Sequence, residues 1–165
     1  MGKISNEELL QNLVDKFGDK ISQLGDPYGL LTIETTREEL ISVLSYLKTE
    51  QQFIHLTDIT AIHYPELAKP FGVIYHIHSL AKGIRIRVKV FLAADDVHIP
   101  TAVELWDGAN WMERETYDFF GVIFDGHPDL RRILNVDDMT VFPMRREFPL
   151  EDPNRIDKKD YFFGR

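Results

Sequence analysis

"GIRIRVKVFL", residues 83–92, decides the class of fold: Ile84, Ile86, Val88 and Val90 alternate with Arg85, Arg87 and Lys89. A two-residue period is that of a β-strand, so this one lays an apolar face on a core and leaves the other wet or partnered. Upstream, "FIHLTDITAIHY" (53–64) and "FGVIYHIHSL" (71–80) are also rich in β-branched and aromatic residues and read as strands. The connections among the three runs are short, "SLAKG" included. Short connections predict antiparallel neighbours, because a parallel pair needs a long crossover. Earlier still, "KISQL" and "LLTIE" flank Asp26, Pro27 and Gly29, turn chemistry that predicts a hairpin.

Helix signals surround these strands. Ser5 to Glu8 is a capping box with Ile4 and Leu9 as its hydrophobic staple, and Leu9, Leu10, Leu13, Val14 and Phe17 continue at helical spacing, predicting a helix over 6–17. Thr36 to Glu39 repeats the box before a stripe of Leu40, Ile41, Leu44 and Leu47. Thr101 to Glu104 offers a third box after Pro100, opening helical sequence with a break at Gly108 that runs to Gly121 as the left-handed stop. The order α-β-β-α-β-β-β-α predicts an α+β domain, helices packed on a largely antiparallel sheet.

Past residue 125 the periodicity fails. Pro128, Pro143, Pro149 and Pro153 break regular helix, yet Ile133, Leu134, Val141, Phe142, Phe148, Leu150, Tyr161, Phe162 and Phe163 are too apolar for a solvated tail. The chain is therefore divided into a compact α+β domain, 1–126, and an extended, proline- and arginine-rich arm, 127–165, expected to bind a partner.

Composition narrows the function. With 165 residues, one ordinary domain is expected, and the absence of cysteine removes disulfides, thiolate metal sites and a Cys nucleophile from this sequence. A net charge of −8 argues against nucleic acid as the partner. The start "MGKISNEELLQNL" has no secretory pattern and no run approaches the ~20 apolar residues of a membrane helix, so a cytoplasmic protein is expected. There is no G-x-G-x-x-G, Walker lysine loop or G-x-S-x-G elbow.

Glu113, Glu115 and Asp118 are read as a charged helix side, with Arg114 and Asp118 spaced as an i,i+4 ion pair, rather than as catalytic acids. His76 and His78 share a strand face near His55 and His63, which permits a metal site, but without cysteine or acidic residues at ligand spacing no metal is assigned. Trp106 and Trp111 are taken as core and contact aromatics. The paired arginines, Arg131 with Arg132 and Arg145 with Arg146, lie among prolines and apolar anchors, a setting suited to carboxylates on a covering surface.

Glu113-Arg114-Glu115, Asp118, Gly121, Phe124, His127-Pro128 and Leu130-Arg131-Arg132-Ile133 resemble the signature of the hydrophilic 30 kDa subunit family of respiratory complex I, the bacterial NADH-quinone oxidoreductase. "LTDITAIHYPE", "ANWMERE" and "FPMRREFPLED" extend the resemblance over most of the chain. Where many relatives carry Gly-His-Pro, this chain has Val141-Phe142-Pro143. The resemblance implies a peripheral-arm subunit of a proton-translocating enzyme, with no catalytic, cofactor-binding or metal-binding residue of its own. NADH, FMN, iron–sulfur clusters and quinone would be held elsewhere in the complex. The partners implied are the hydrogenase-like quinone-site subunit and the adjacent iron–sulfur subunits, on the cytoplasmic side of the inner membrane. The expected partner interface is Glu113, Arg114, Glu115, Asp118, His127, Pro128, Asp129, Arg131, Arg132, Arg145, Arg146 and Phe148. The competing readings are the equivalent subunit of a ferredoxin-linked or membrane-bound hydrogenase complex and a stand-alone His-metal enzyme.

Overall fold

The computed structural model describes residues 3–148. The arm residues Pro149, Leu150, Pro153, Tyr161, Phe162 and Phe163 lie outside them. Helix α1 spans Asn6–Phe17, and the Ser5 hydroxyl accepts the Glu8 N–H at 3.2 Å, the N-cap half of the first box. Strands β1 (Ile21–Gly25) and β2 (Leu31–Thr35) form the antiparallel hairpin around the Pro27–Gly29 turn. Helix α2 (Leu40–Thr49) follows, then the long strands β3 (His55–His63), β4 (Phe71–Ser79) and β5 (Ile84–Leu92). Short β6 (His98–Pro100), helix α3 (Ala109–Phe120) and short β7 (Ile123–Asp125) complete the order.

The main sheet runs β1-β2-β5-β4-β3. Its β3-β4 and β4-β5 pairs are antiparallel, as the short connections require. The exception is β2 against β5, a parallel pair with Ile33 opposite Val88. Because α2 carries the chain from β2 across to the far edge, the β3-β4-β5 meander walks back and delivers β5 alongside β2 in the same direction. A second parallel pair, β6 with β7, has no counterpart among the strands expected from sequence.

On one face of the sheet Ile33, Val73, Ile77, Ile86, Val88 and Val90 are completely buried with Leu9 and Leu13 of α1 and Leu40, Val43, Leu44 and Leu47 of α2. Val43 takes the place expected for Ile41, which is only half-buried. Helix α3 closes the β3 side, where the Thr116 hydroxyl donates to the Ile59 carbonyl at 3.1 Å. Trp106 is in the core, with its indole N–H on the Ile54 carbonyl at 3.1 Å, whereas Trp111 is exposed. The opposite face keeps Arg85, Arg87, Lys89, His76 and His78 half-buried or exposed.

Two capping boxes fail. Helix α2 begins after Glu39 without a side-chain cap, so Thr36 does not start it. Helix α3 begins only after Gly108: Thr101 caps no more than the single turn Ala102–Trp106, its hydroxyl accepting the Val103 N–H at 3.2 Å while donating to Glu113. Gly121 does stop α3, in the left-handed region at φ 74°, its N–H on the Tyr117 carbonyl. No helix among the described residues is long and apolar enough to cross a membrane.

Candidate functional site

The residues singled out on α3 and beyond it converge on one region, the buried side of α3 and the segment 127–148 that folds back on it. Glu113 and Asp118 are both fully buried. Five residues on an α-helix place their side chains about 140° apart, so the two carboxylates enter different surroundings.

Glu113 faces the loop before α3. Its Oε2 accepts from the Thr101 hydroxyl at 2.5 Å and its Oε1 from the Ala102 N–H at 2.7 Å. Burial pushes its pKa up to about 7, against the pull of those two donors. The buried His127 ring lies 4.0 Å away. His127 Nδ1 accepts the Asp129 N–H at 3.0 Å while Nε2 sits 3.1 Å from the Asn110 carbonyl. That pattern fits a neutral imidazole protonated at Nε2. The nearby Tyr75 hydroxyl is buried without a partner among the described residues, and burial together with Glu113 raises its pKa further.

Asp118 faces the returning segment. Its Oδ2 accepts the backbone N–H groups of Ile133, Leu134 and Asn135 at 3.1, 2.8 and 2.9 Å. Its Oδ1 accepts from Arg132 Nη1 at 2.7 Å and Asn135 Nδ2 at 3.1 Å. Burial alone would raise its pKa, but the Asn135 and Leu134 N–H groups and the Arg132 guanidinium outweigh it and hold the carboxyl far below the usual range. The expected Arg114–Asp118 ion pair is not formed. Asp118 is claimed by the segment, and Arg114 donates to the carbonyls of Arg131 and Arg132, each at 3.2 Å.

The neighbouring arginines Arg131 and Arg132 have different fates. Arg132 Nη2 also donates to the carbonyls of Met139 and Val141, at 2.7 and 3.1 Å, so one guanidinium ties α3 to two further turns of the segment. Among the described residues Arg131 pairs only with Asp129, both well exposed. Arg145 donates to the Phe120 carbonyl at 2.7 Å and lies over the Phe71 and Phe142 rings, 4.8 and 4.7 Å from their centroids. Phe142 thus sits between the guanidiniums of Arg132 and Arg145, over Gly121, where a Cβ would come within 2.5 Å of its ring. Arg146 contributes a backbone N–H to His63 Nδ1, and Glu115, Pro128, Asp129, Arg146 and Phe148 are half-buried or exposed.

The other histidines have separate tasks. His63 stacks on Phe71 at 4.4 Å, and His76 accepts from Arg87. The arrangement around α3 is a pair of polar anchors, one on each side of the helix, rather than an opening for substrate. Grooves of about 290 and 490 Å³ are lined by other residues. Sequence reasoning singles out Glu113 and Asp118 but misses Thr101, Asn135 and Phe142 as their supports. A signal for Thr101 does exist, a Thr just ahead of helical sequence, but local reading spends it on a cap.

Residues 33–154 match the family described as "Respiratory-chain NADH dehydrogenase, 30 Kd subunit". A protein of Geotalea uraniireducens, named as the C subunit of NADH-quinone oxidoreductase, is 36% identical over 150 residues, 91% of this chain and 92% of that protein. A protein of the same name from Brucella ovis is 43% identical over 145 residues, 87% of this chain and 71% of that protein. Among solved structures, the trypsin-resistant fragment (1–134) of Nqo5 superposes with a TM-score of 0.66 and 32% identity, covering 73% of this chain and 98% of that one. A chain of a membrane-bound sulfane sulfur reductase, an archaeal respiratory membrane complex, shares the fold with a TM-score of 0.76 at 22% identity, over 93% of this chain and 95% of that one.

Proposed function

The chain belongs to the 30 kDa subunit family of respiratory-chain NADH dehydrogenase, and on that premise we propose that it is a scaffold subunit of a proton-translocating NADH-quinone oxidoreductase. It has no cofactor of its own. Its place is the peripheral arm on the cytoplasmic side of the inner membrane, beside the hydrogenase-like quinone-site subunit and the adjacent iron–sulfur subunits. The sequence holds no cysteine, so thiolate ligation of clusters falls to those neighbours, as do NADH, FMN and quinone.

The observation that carries this reading is the outer surface of the segment 127–148. Ile133, Leu134, Val136, Val141, Met144 and Phe148 all stay more than a third exposed. Scattered apolar residues on a surface are ordinary, but six within one short segment, on backbone held by Asp118 and Arg132, make a surface suited to burial by another protein. Because that backbone is already ordered, docking loses little further conformational entropy. Arg131, Arg146 and Glu115 supply a charged rim.

The test uses the tagged full chain in its own cells, with Leu134→Asp and Val136→Asp combined. The variant is expected to melt like the parent but to fall at least tenfold in native-gel assembly, with membrane NADH-quinone reductase activity falling in proportion. Unchanged assembly removes this segment from the interface. A parent chain that enters no NADH-quinone reductase complex overturns the reading itself.

A further inference from the structure

The face of the main sheet turned away from the helices carries three cations on alternate positions of β5, namely Arg85, Arg87 and Lys89. Their spacing is about 6.6 Å along the strand. Among the described residues none of the three forms an ion pair, although the chain as a whole carries a charge of −8. Resting on the reading above, we propose that this face docks an acidic segment of a neighbouring subunit, whose carboxylates pair with Arg85, Arg87 and Lys89.

The sheet register shows why the charges stay available. Arg87 lies opposite His76 on β4, which lies opposite Asp58 on β3. Arg87 Nε donates to His76 Nε2 at 2.8 Å, so the imidazole accepts and is neutral at that nitrogen. Burial and the Arg87 charge both hold the His76 pKa below its ordinary value, against the pull of Asp58. The histidine aims the guanidinium without neutralising it. Lys89 lies opposite Glu34 on β2 without closing a salt bridge, and burial and Arg87 together weaken its hold on its proton. Like charges side by side on a half-buried sheet face are unfavourable alone, and a carboxylate-bearing partner relieves that repulsion.

At one end of the face Arg85, Arg87 and His78 line a groove of about 490 Å³ whose other wall is the turn Pro27–Leu30. Tyr28, on that turn, is fully exposed and held at φ 59°, in the left-handed region. Arginine and tyrosine are among the residue types that most often carry binding energy at protein interfaces. A phosphate backbone carries the same sign of charge as an acidic segment, and the cross-link described below tells the two apart.

The experiment places a photo-reactive benzophenone amino acid at Tyr28 of the tagged full chain, irradiates intact cells and maps the cross-link by mass spectrometry. In parallel Arg85→Glu is combined with Lys89→Glu, and Lys16→Glu on α1 serves as the control reversal. The expected result is a cross-link to another subunit within a stretch rich in Asp and Glu. The double reversal should lower assembly at least tenfold with the circular dichroism and melting of the parent, and the control should assemble normally. Should the double reversal unfold the chain, the cross-link decides. Cross-links to nucleic acid, to a neutral or basic segment, or to residues 149–165 of this chain overturn the proposal, as does normal assembly of a folded double reversal. Absence of the parent chain from any NADH-quinone reductase complex overturns the reading above and this surface with it.

Discussion

In the sheet body, Ile86, Val88 and Val90 of β5 and Leu44 and Leu47 of α2 are completely removed from water, while between residues 127 and 148 no residue is buried as a whole. The body is kept by many interchangeable apolar contacts, each burial worth roughly 1.5–3 kcal/mol and none decisive. The returning segment is kept by a few directional bonds, and the Asp118 carboxylate alone accepts five of them. Apolar burial spreads its risk over a surface. A polar clamp concentrates it in one side chain, so single substitutions separate the two regions.

The largest effect is expected from Asp118→Ala, which strands the buried Arg132 guanidinium and three backbone N–H groups. Breaking a buried pair from one side costs about 3–5 kcal/mol. Limited proteolysis should then open the segment 127–148 while hydrogen exchange in β4 and β5 stays slow. Equal loss of protection in the sheet would make the two regions one cooperative unit.

A somewhat smaller effect belongs to pH. Glu113 has its folded pKa raised to about 7 from an ordinary 4.5, so between these values the folded chain keeps a proton that the unfolded chain has released. Stability from this group therefore falls as pH rises through that window, by about 3 kcal/mol in all. Asp118 has the opposite sign. Its depressed pKa gives stability that is fully present above the ordinary carboxylate range and lost only as pH falls well below it, so it adds no slope between about pH 5 and 7. Urea unfolding at about pH 5 and pH 7.5 should show Glu113→Gln with a flatter pH dependence than the parent. An identical dependence in both would mean that the carboxyl is ionised throughout.

The smallest effect should come from Arg131→Ala, whose side chain is 69% exposed and, among the described residues, pairs only with an exposed Asp129. Stability should change by less than about 0.5 kcal/mol. Arg132→Ala, one residue along, should instead release the turns at Met139 and Val141. Matching melting temperatures for the two variants would remove the distinction drawn between these neighbours.

Much of the body is legible because its signals are local. The alternation in Ile84–Leu92, the short connections on either side of β4, the Ser5 cap and the Gly121 stop each depend on residues within a few positions of one another, and each takes the form expected. The boxes at Thr36 and Thr101 have the same letters but neither opens a long helix, because a Thr hydroxyl that accepts a local N–H still donates to whichever acceptor the fold brings closest. For Thr101 that is Glu113, twelve residues away in sequence. The arginine pairs of the arm likewise give no local clue to which member is buried.

Three helices, the five strands of the main sheet, its apolar face, the lack of cysteine and the signature that marks the family are all legible in the amino-acid sequence, since they are properties of composition or of near neighbours. Only the tertiary structure decided that β2 and β5 run parallel, that Asp118 is paired with Arg132 rather than Arg114, and that Glu113 and Asp118 shift in opposite directions. Those outcomes depend on which distant groups meet in a place that water has left. There a carboxylate surrounded by N–H donors holds its charge, and one with fewer donors keeps its proton.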